Sequence, residues 1–271
     1  MIHNIKHQTI FDYETTPKSI VQRLHLSPPT IAQQDVIEWE ISVDGGTIVL
    51  DTADYHGNWV HLCRGHSETK TMQIICRGQV DVKDMNGIVG SHDNSLPLDL
   101  FKNSTTLSMP GPRLRQLGKD IKNLLQTDRD GDLYALHELS GQILANIKYS
   151  KGKTDINTTA EMAMEIGEGV CQDHVHAFMS VARLLGFSAR YVSGYLMMQD
   201  TVSQEASHAW AEVYVTGLGW LAFDISNGIS PDDRYVKLAT GFDYSDVVPL
   251  SGVRFGSGEE QIATSIMISQ Q

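Results

Sequence analysis

The chain of 271 residues holds only three cysteines, Cys63, Cys76 and Cys171, an odd number with no Cys-x-x-Cys pair. That scarcity argues against a disulfide framework and fits a reducing compartment. No apolar run approaches the length of a bilayer span, so no membrane partner is expected. The opening stretch Met1-Ile-His-Asn-Ile-Lys-His-Gln-Thr-Ile-Phe-Asp-Tyr13 lacks the apolar segment of a secretory leader and alternates like a strand. Positive charge is also short: 21 Lys and Arg face 33 Asp and Glu, a net −12 with no basic tract. A nucleic-acid partner is therefore not expected. Taken together, these absences point to a cytoplasmic protein. No internal repeat is visible, and nothing in the sequence requires an oligomer.

What is present is ordinary globular composition, 41% hydrophobic and 20% charged, in a chain long enough for one large or two medium domains. Residues 1–85 read as β structure. Strands are expected at 2–13, 19–26, 36–43, 47–51, 60–63 and 71–80, parted by turn signals at Pro28-Pro29, Asp44-Gly45-Gly46 and His56-Gly57-Asn58. Short, closely spaced strands suggest a small sandwich, with Cys63 and Cys76 as buried core thiols. Residues 86–111 are rich in Gly, Asn, Ser and Pro and read as a linker.

Residues 112–271 form the second expected domain. Apolar stripes predict helices over 113–125, 132–148, 159–166 and 171–185, the third opened by a capping box at Thr158-Thr-Ala-Glu161 and the last closed by Gly186. Strands are expected at 189–198, 207–215 and 220–224, with further strand character at 247–255 and 261–268. Helices followed by strands indicate an α+β class.

Chemistry concentrates at Gly167-Glu-Gly-Val-Cys-Gln-Asp-His174. A thiol attacks carbonyls well only as thiolate. At the first position of a helix, unpaired amides and the helix dipole favour that charge on Cys171, and its own N–H is free to serve an oxyanion. Gly169 lets the backbone turn into the helix, and Asp173 is expected to cap it. With 11 histidines in the chain, position has to select the base. His174 and His176 project away from Cys171, whereas His208 opens a strand that can run past the helix start. Asp224 ends the next strand and can orient the imidazole. Glu212 and Arg190 read as a structural ion pair, and Tyr195 and Trp210 as candidate substrate-binding aromatics lining a cleft.

Gly-Val-Cys171-Gln-Asp173, Ala-Arg-Tyr-Val-Ser-Gly-Tyr195, His208-Ala-Trp-Ala-Glu212-Val-Tyr and Gly-Trp220-Leu-Ala-Phe-Asp224 occur in that order. In this the chain resembles the transglutaminase-like cysteine peptidase superfamily in its bacterial form, across roughly 160–255 and, by domain order, nearly throughout. The resemblance implies a papain-like core, a helix bundle packed on an antiparallel sheet, preceded by the β domain. It implies Cys171 as nucleophile, His208 as general base and acid, and Asp224 as orienting carboxylate, passing through a thioester to water or to an amine. The expected activity is an amide hydrolase acting on peptides or proteins. A glutamine transglutaminase and a non-catalytic peptide-binding module are the alternatives.

No cofactor or metal is expected. If Asp128 opened a calcium loop, its sixth and twelfth positions would be Leu133 and Leu139 instead of Gly and Glu. Cys171, His174 and His176 lack the second ligand pair of a zinc site.

Overall fold

The alternation in the first thirteen residues becomes a twelve-residue strand in which His3, Ile5, His7, Thr9, Phe11 and Tyr13 are buried. The structure is a computed structural model and describes residues 1–93, 96–125, 129–198, 203–204 and 206–270. Asp128 of the rejected calcium loop and Glu205, in the loop before His208, lie outside the described residues.

The strands in the first part of the chain are β1 (Ile2–Tyr13), β2 (Ser19–Leu24), β3 (Gln34–Asp44), β4 (Gly46–Ala53), β5 (Trp59–Gly65), β6 (Thr71–Val82) and β7 (Ile88–Gly90). A 3₁₀ turn (Leu98–Lys102) leads to α1 (Pro112–Lys122), α2 (Arg129–Asn146), β8 (Lys148–Tyr149), α3 (Ala160–Ile166), β9 (Glu168–Gly169) and α4 (Cys171–Leu184). There follow β10 (Ser188–Leu196), β11 (Ser203–Gln204), β12 (His208–Val215), β13 (Gly219–Phe223), β14 (Tyr235–Gly241), α5 (Tyr244–Val247), β15 (Leu250–Phe255) and β16 (Glu260–Gln270).

Three antiparallel sheets result, in the orders β11-β16-β1-β6-β3, β15-β2-β5-β4 and β14-β10-β12-β13-β7. The first two share one buried cluster that includes Ile5, Leu24, Cys63, Met72, Cys76 and Ile266, with both thiols fully buried. Tyr195, Val236 and Leu238 of the third sheet join the same cluster. A second core forms where α4 packs on β10 and β12 and against α1, α2 and α3. The segment Asp173–Arg183 of α4 is buried throughout, so this helix is the axis of the α/β half.

Four expectations need correction. The stretch 86–111 is no free linker: β7 pairs with β13, and Phe101 is fully buried with its carbonyl bonded by Arg183. The tail does not belong with 112–249, because β16 pairs with β1 and β15 with β2, closing the N-terminal sheets. A strand was not expected at β14, whose run Tyr-Val-Lys-Leu-Ala-Thr-Gly carries a lysine at its third position. The capping box is also divided differently. Thr159 caps α3 by accepting from Met162 N–H, while Glu161 reaches across to cap α1 at the amides of Gly111, Arg113 and Leu114.

Candidate active site

Cys171 is the first residue of α4 and half-buried. The chain enters this helix extended at Val170, which has no side-chain acceptor. Only the reverse arm of a capping box can therefore form: the Asp173 carboxylate accepts from Val170 N–H at 2.7 Å and from the Thr154 hydroxyl at 2.7 Å. Gly169 serves this arrangement through space and not through a special turn. A Cβ there would stand 2.7 Å from Asp173 Oδ2. Burial nevertheless raises the Asp173 pKa, with Val170 and Thr154 opposing it.

The hairpin of β12 and β13 pairs Ala211 with Phe223, which carries His208 and Asp224 to one end of the sheet. His208 Nε2–H donates to Asp224 Oδ2 at 2.7 Å, and Cys171 acts on the same ring, favouring its charged form. With Nε2 committed to the carboxylate, Nδ1 is the nitrogen left to exchange a proton with the thiol. Burial is the largest influence on His208 and opposes its charge, but the bonds to Asp224 and then Cys171 outweigh it and push the imidazole up to about 10.

Asp224 is fully buried and richly supplied with donors. Besides His208, Oδ2 accepts from Asn227 Nδ2 and the Tyr235 hydroxyl, each at 2.7 Å, and Oδ1 accepts from Asn227 N–H at 3.2 Å. Burial works to raise this carboxyl, yet these bonds, led by His208, hold it below the usual carboxylate range. Neither Asn227 nor Tyr235 was singled out in the sequence. Asn227 lies in the turn directly after Asp224, and Tyr235 on the unexpected strand β14.

Around the thiol stand Tyr149, Tyr191 and Tyr244. Burial, and after it the charge of Cys171, raises the pKa of all three phenols. Tyr149 is half exposed and lies parallel to the His174 ring at 6.3 Å. His174 itself is structural: Nε2–H donates to Ile147 C=O at 2.8 Å and Nδ1 accepts from the Ser226 hydroxyl at 3.0 Å. His176 accepts from Tyr244 N–H, and full burial lowers it to about 4. Gln172, next to the nucleophile, has a buried Nε2 with no hydrogen-bond partner among the described residues.

Neither of the candidate substrate aromatics is exposed. Tyr195 is 1% exposed, and its hydroxyl bonds His7 Nδ1 at 2.8 Å within the N-terminal core. Trp210 is 2% exposed and meets Tyr235 edge-on at 5.5 Å. Its ring fills the space beside Gly194, where a Cβ would lie 2.5 Å from the indole. Both residues are buried, and Trp210 also lines a small cavity with Glu212, Tyr235 and Lys237. Arg190 and Glu212 do form an ion pair, and Lys237 joins it as a third member. No group of three or more His, Cys, Asp or Glu side chains set to hold a metal occurs among the described residues, and no helix there is long and apolar enough to cross a membrane.

Comparison with known proteins finds similarity along most of the chain. Residues 118–225 fit the model of the transglutaminase-like superfamily core, and residues 3–81 that of the bacterial transglutaminase-like N-terminal region. An uncharacterized protein of Mycobacterium tuberculosis is 26% identical, covering 96% of this chain and 90% of its own. Another from Mycobacterium leprae is 26% identical over 98% of both chains. A crystal structure of a candidate cysteine protease from Cytophaga hutchinsonii superposes with a TM-score of 0.75 at 18% identity, covering 99% of this chain and 90% of that one, and so shares the fold. The chain thus resembles the transglutaminase-like superfamily in its core and the bacterial transglutaminase-like proteins in the region ahead of it.

Proposed function

We propose that the chain is a thiol-dependent amide hydrolase, a cysteine peptidase in which Cys171 is the nucleophile, His208 the general base and acid, and Asp224 the orienting carboxylate. The observation that carries this reading is the 2.7 Å bond from His208 Nε2 to the buried Asp224 Oδ2, supported by the influence of Cys171 on the same ring. Its raised pKa favours the imidazolium at neutral pH, the partner a thiolate needs.

In the proposed reaction Sγ attacks the amide carbon, forming a C–S bond as the carbonyl oxygen takes up negative charge. The Cys171 N–H at the helix start supplies one donor to that oxygen, and the unpartnered Gln172 Nε2 supplies the second. Collapse breaks the C–N bond, and His208 gives its proton to the departing amine. Neutral His208 then takes a proton from water, which attacks the thioester and releases the carboxylic acid and the thiol. The substrate is proposed to be a peptide or protein. A cytoplasmic setting is proposed with it, supported by three free cysteines. The shared buried cluster of the two N-terminal sheets supports a sandwich.

Alkylation with iodoacetamide near neutral pH tests the activated thiol. Cys171 is expected to react well ahead of Cys63, which burial raises to about 11, and Cys76, which burial also raises. Equal rates at all three would contradict the proposal. With a glutamine-containing peptide and a labelled amine, hydrolysis without incorporation is expected, and incorporation would make the chain a transglutaminase. Absent turnover, with peptide binding unchanged in Cys171→Ala, would make it a binding module.

A further inference from the structure

Arg190 on β10 pairs with Glu212 on β12, and Lys237 on β14, opposite Gly194, reaches the same carboxylate from further along the sheet. The proposed reaction uses none of them. Glu212 is fully buried, and the Arg190 and Lys237 side chains are only 11% and 7% exposed. Glu212 Oε2 accepts from Arg190 Nε at 2.7 Å and Nη2 at 2.6 Å, while Oε1 meets Lys237 Nζ. Trp220 covers the guanidinium, with its ring centroid 4.1 Å away. The cluster therefore holds two cations and one carboxylate. Among the described residues, no second anion pairs with either cation, which leaves one positive charge buried and uncompensated. Such a charge is costly unless an anion meets it. Lys237 registers that cost: burial lowers it to about 8, Glu212 opposes the fall and Arg190 adds to it.

Both cations line a cleft of about 630 Å³ between the loops at 29–33 and 54–58, the segment 89–93 and strands β10 and β14. That volume suits a small organic ligand, typically held in roughly 300–1,000 Å³. None of Cys171, His208 and Asp224 lines it. Two carboxylates also lie in the cleft. Asp54 is held by Asn58 Nδ2, by the amides of His56 and Asn58 and by the His25 ring, so neither Arg190 nor Lys237 is its partner. Asp93 is exposed and bonded only to Ser91 among the described residues. A single excess positive charge together with acids in the same cleft opposes a dianion such as phosphate. It suits a ligand that carries one carboxylate and, further along, an ammonium group.

We infer that this cleft binds the free α-carboxylate of an amino acid or short peptide through Arg190 and Lys237. Glu212 holds the two cations in place, and Asp93 faces the ligand's ammonium end.

Calorimetric titration of the full chain tests this, in a Cys171→Ala background so that peptides survive. The probes are alanine, trialanine, trialanine amide and inorganic phosphate. Binding of alanine or trialanine is expected, the tighter one naming the source, with the amide at least ten-fold weaker and phosphate weaker still. Lys237→Met leaves a balanced Arg190–Glu212 pair, so it is expected to fold and to bind trialanine at least ten-fold more weakly. Undiminished binding by folded Lys237→Met, equal binding of acid and amide, preference for phosphate, or no binding of either carboxylate probe would each overturn the inference. Arg190→Lys, which keeps the charge but loses the fork, gives an independent reading and is expected to weaken trialanine less than Lys237→Met does. Because alkylation of Cys171 in the wild type reads the triad separately, failure here leaves the hydrolase proposal standing.

Discussion

Replacing Asp224 with asparagine separates the charge behind His208 from the hydrogen bonds that hold it. Three donors converge on Oδ2 at 2.7 Å, and one backbone amide approaches Oδ1 at 3.2 Å. An asparagine oxygen turned into the Oδ2 place keeps all three, and its NH₂ then faces only the Asn227 N–H. The structural penalty is one lost bond with a donor left opposed, about 1–3 kcal/mol. For a chain of this size that lowers the melting temperature by about 2–4 °C per kcal/mol. The chemical penalty is far larger, because the carboxylate is what overcomes burial at His208. Without it, turnover is expected to fall by about 10⁴-fold, the scale seen when an orienting carboxylate becomes an amide.

The pH dependence has a definite sign. The His208 value in the folded chain, about 10, lies above the ordinary 6.5, so its stabilising contribution is complete below about 6.5 and is lost as pH rises through about 10. Asp224→Asn should therefore lose more stability at pH 6 than at pH 10. Histidine NMR follows the ring directly, with a titration near 10 in the wild type and a clearly lower one in the variant. A His208 titration unmoved by Asp224→Asn, or turnover within ten-fold of wild type, would refute the reasoning.

Four further outcomes follow from the geometry. Gln172→Ala removes a buried donor that has no partner in the resting chain, so kcat should drop by about 10²–10³ with KM little changed, read by steady-state kinetics. Gly169→Ala forces a Cβ to within 2.7 Å of the Asp173 carboxylate, and loss of that cap should cost about 0.5–2 kcal/mol in urea unfolding and slow Cys171 alkylation. Arg183→Met abandons acceptors at Phe101, Ser108, Ala189 and Phe242, all within 3.0 Å of the guanidinium, and should cost at least about 3 kcal/mol by the same assay. His7 and His176, both lowered to about 4 by burial, contribute stability above about 6.5 that is lost as pH falls through 4. The urea midpoint should therefore decline over that window, and less steeply in His7→Gln.

Much of this was legible because the residues concerned obey short-range rules. Strict alternation marked β1 to its last residue, and helical spacing with Gly186 marked α4. The nearness of His208 and Asp224 was readable because the first opens β12, the second follows β13, and a short hairpin joins the two strands. The unread parts depend on contacts between segments distant in sequence. The pairing of β16 with β1 joins residues as far apart as His3 and Gln270, and no local pattern announces it. Strand β14 was hidden because Lys237 looks solvent-seeking until Glu212 is placed beside it. Tyr195 was misread for a related reason: composition does not say which face of β10 meets the N-terminal sheets, and His7, which receives its hydroxyl, lies 188 residues away.

The most direct measurement of the central claim is mass spectrometry of the chain quenched in acid during reaction with activated peptide esters. An acyl adduct on Cys171 that hydroxylamine removes is expected in the wild type and is expected to be absent from Cys171→Ala. Turnover that persists in Cys171→Ala, or an adduct carried by another residue, would contradict it.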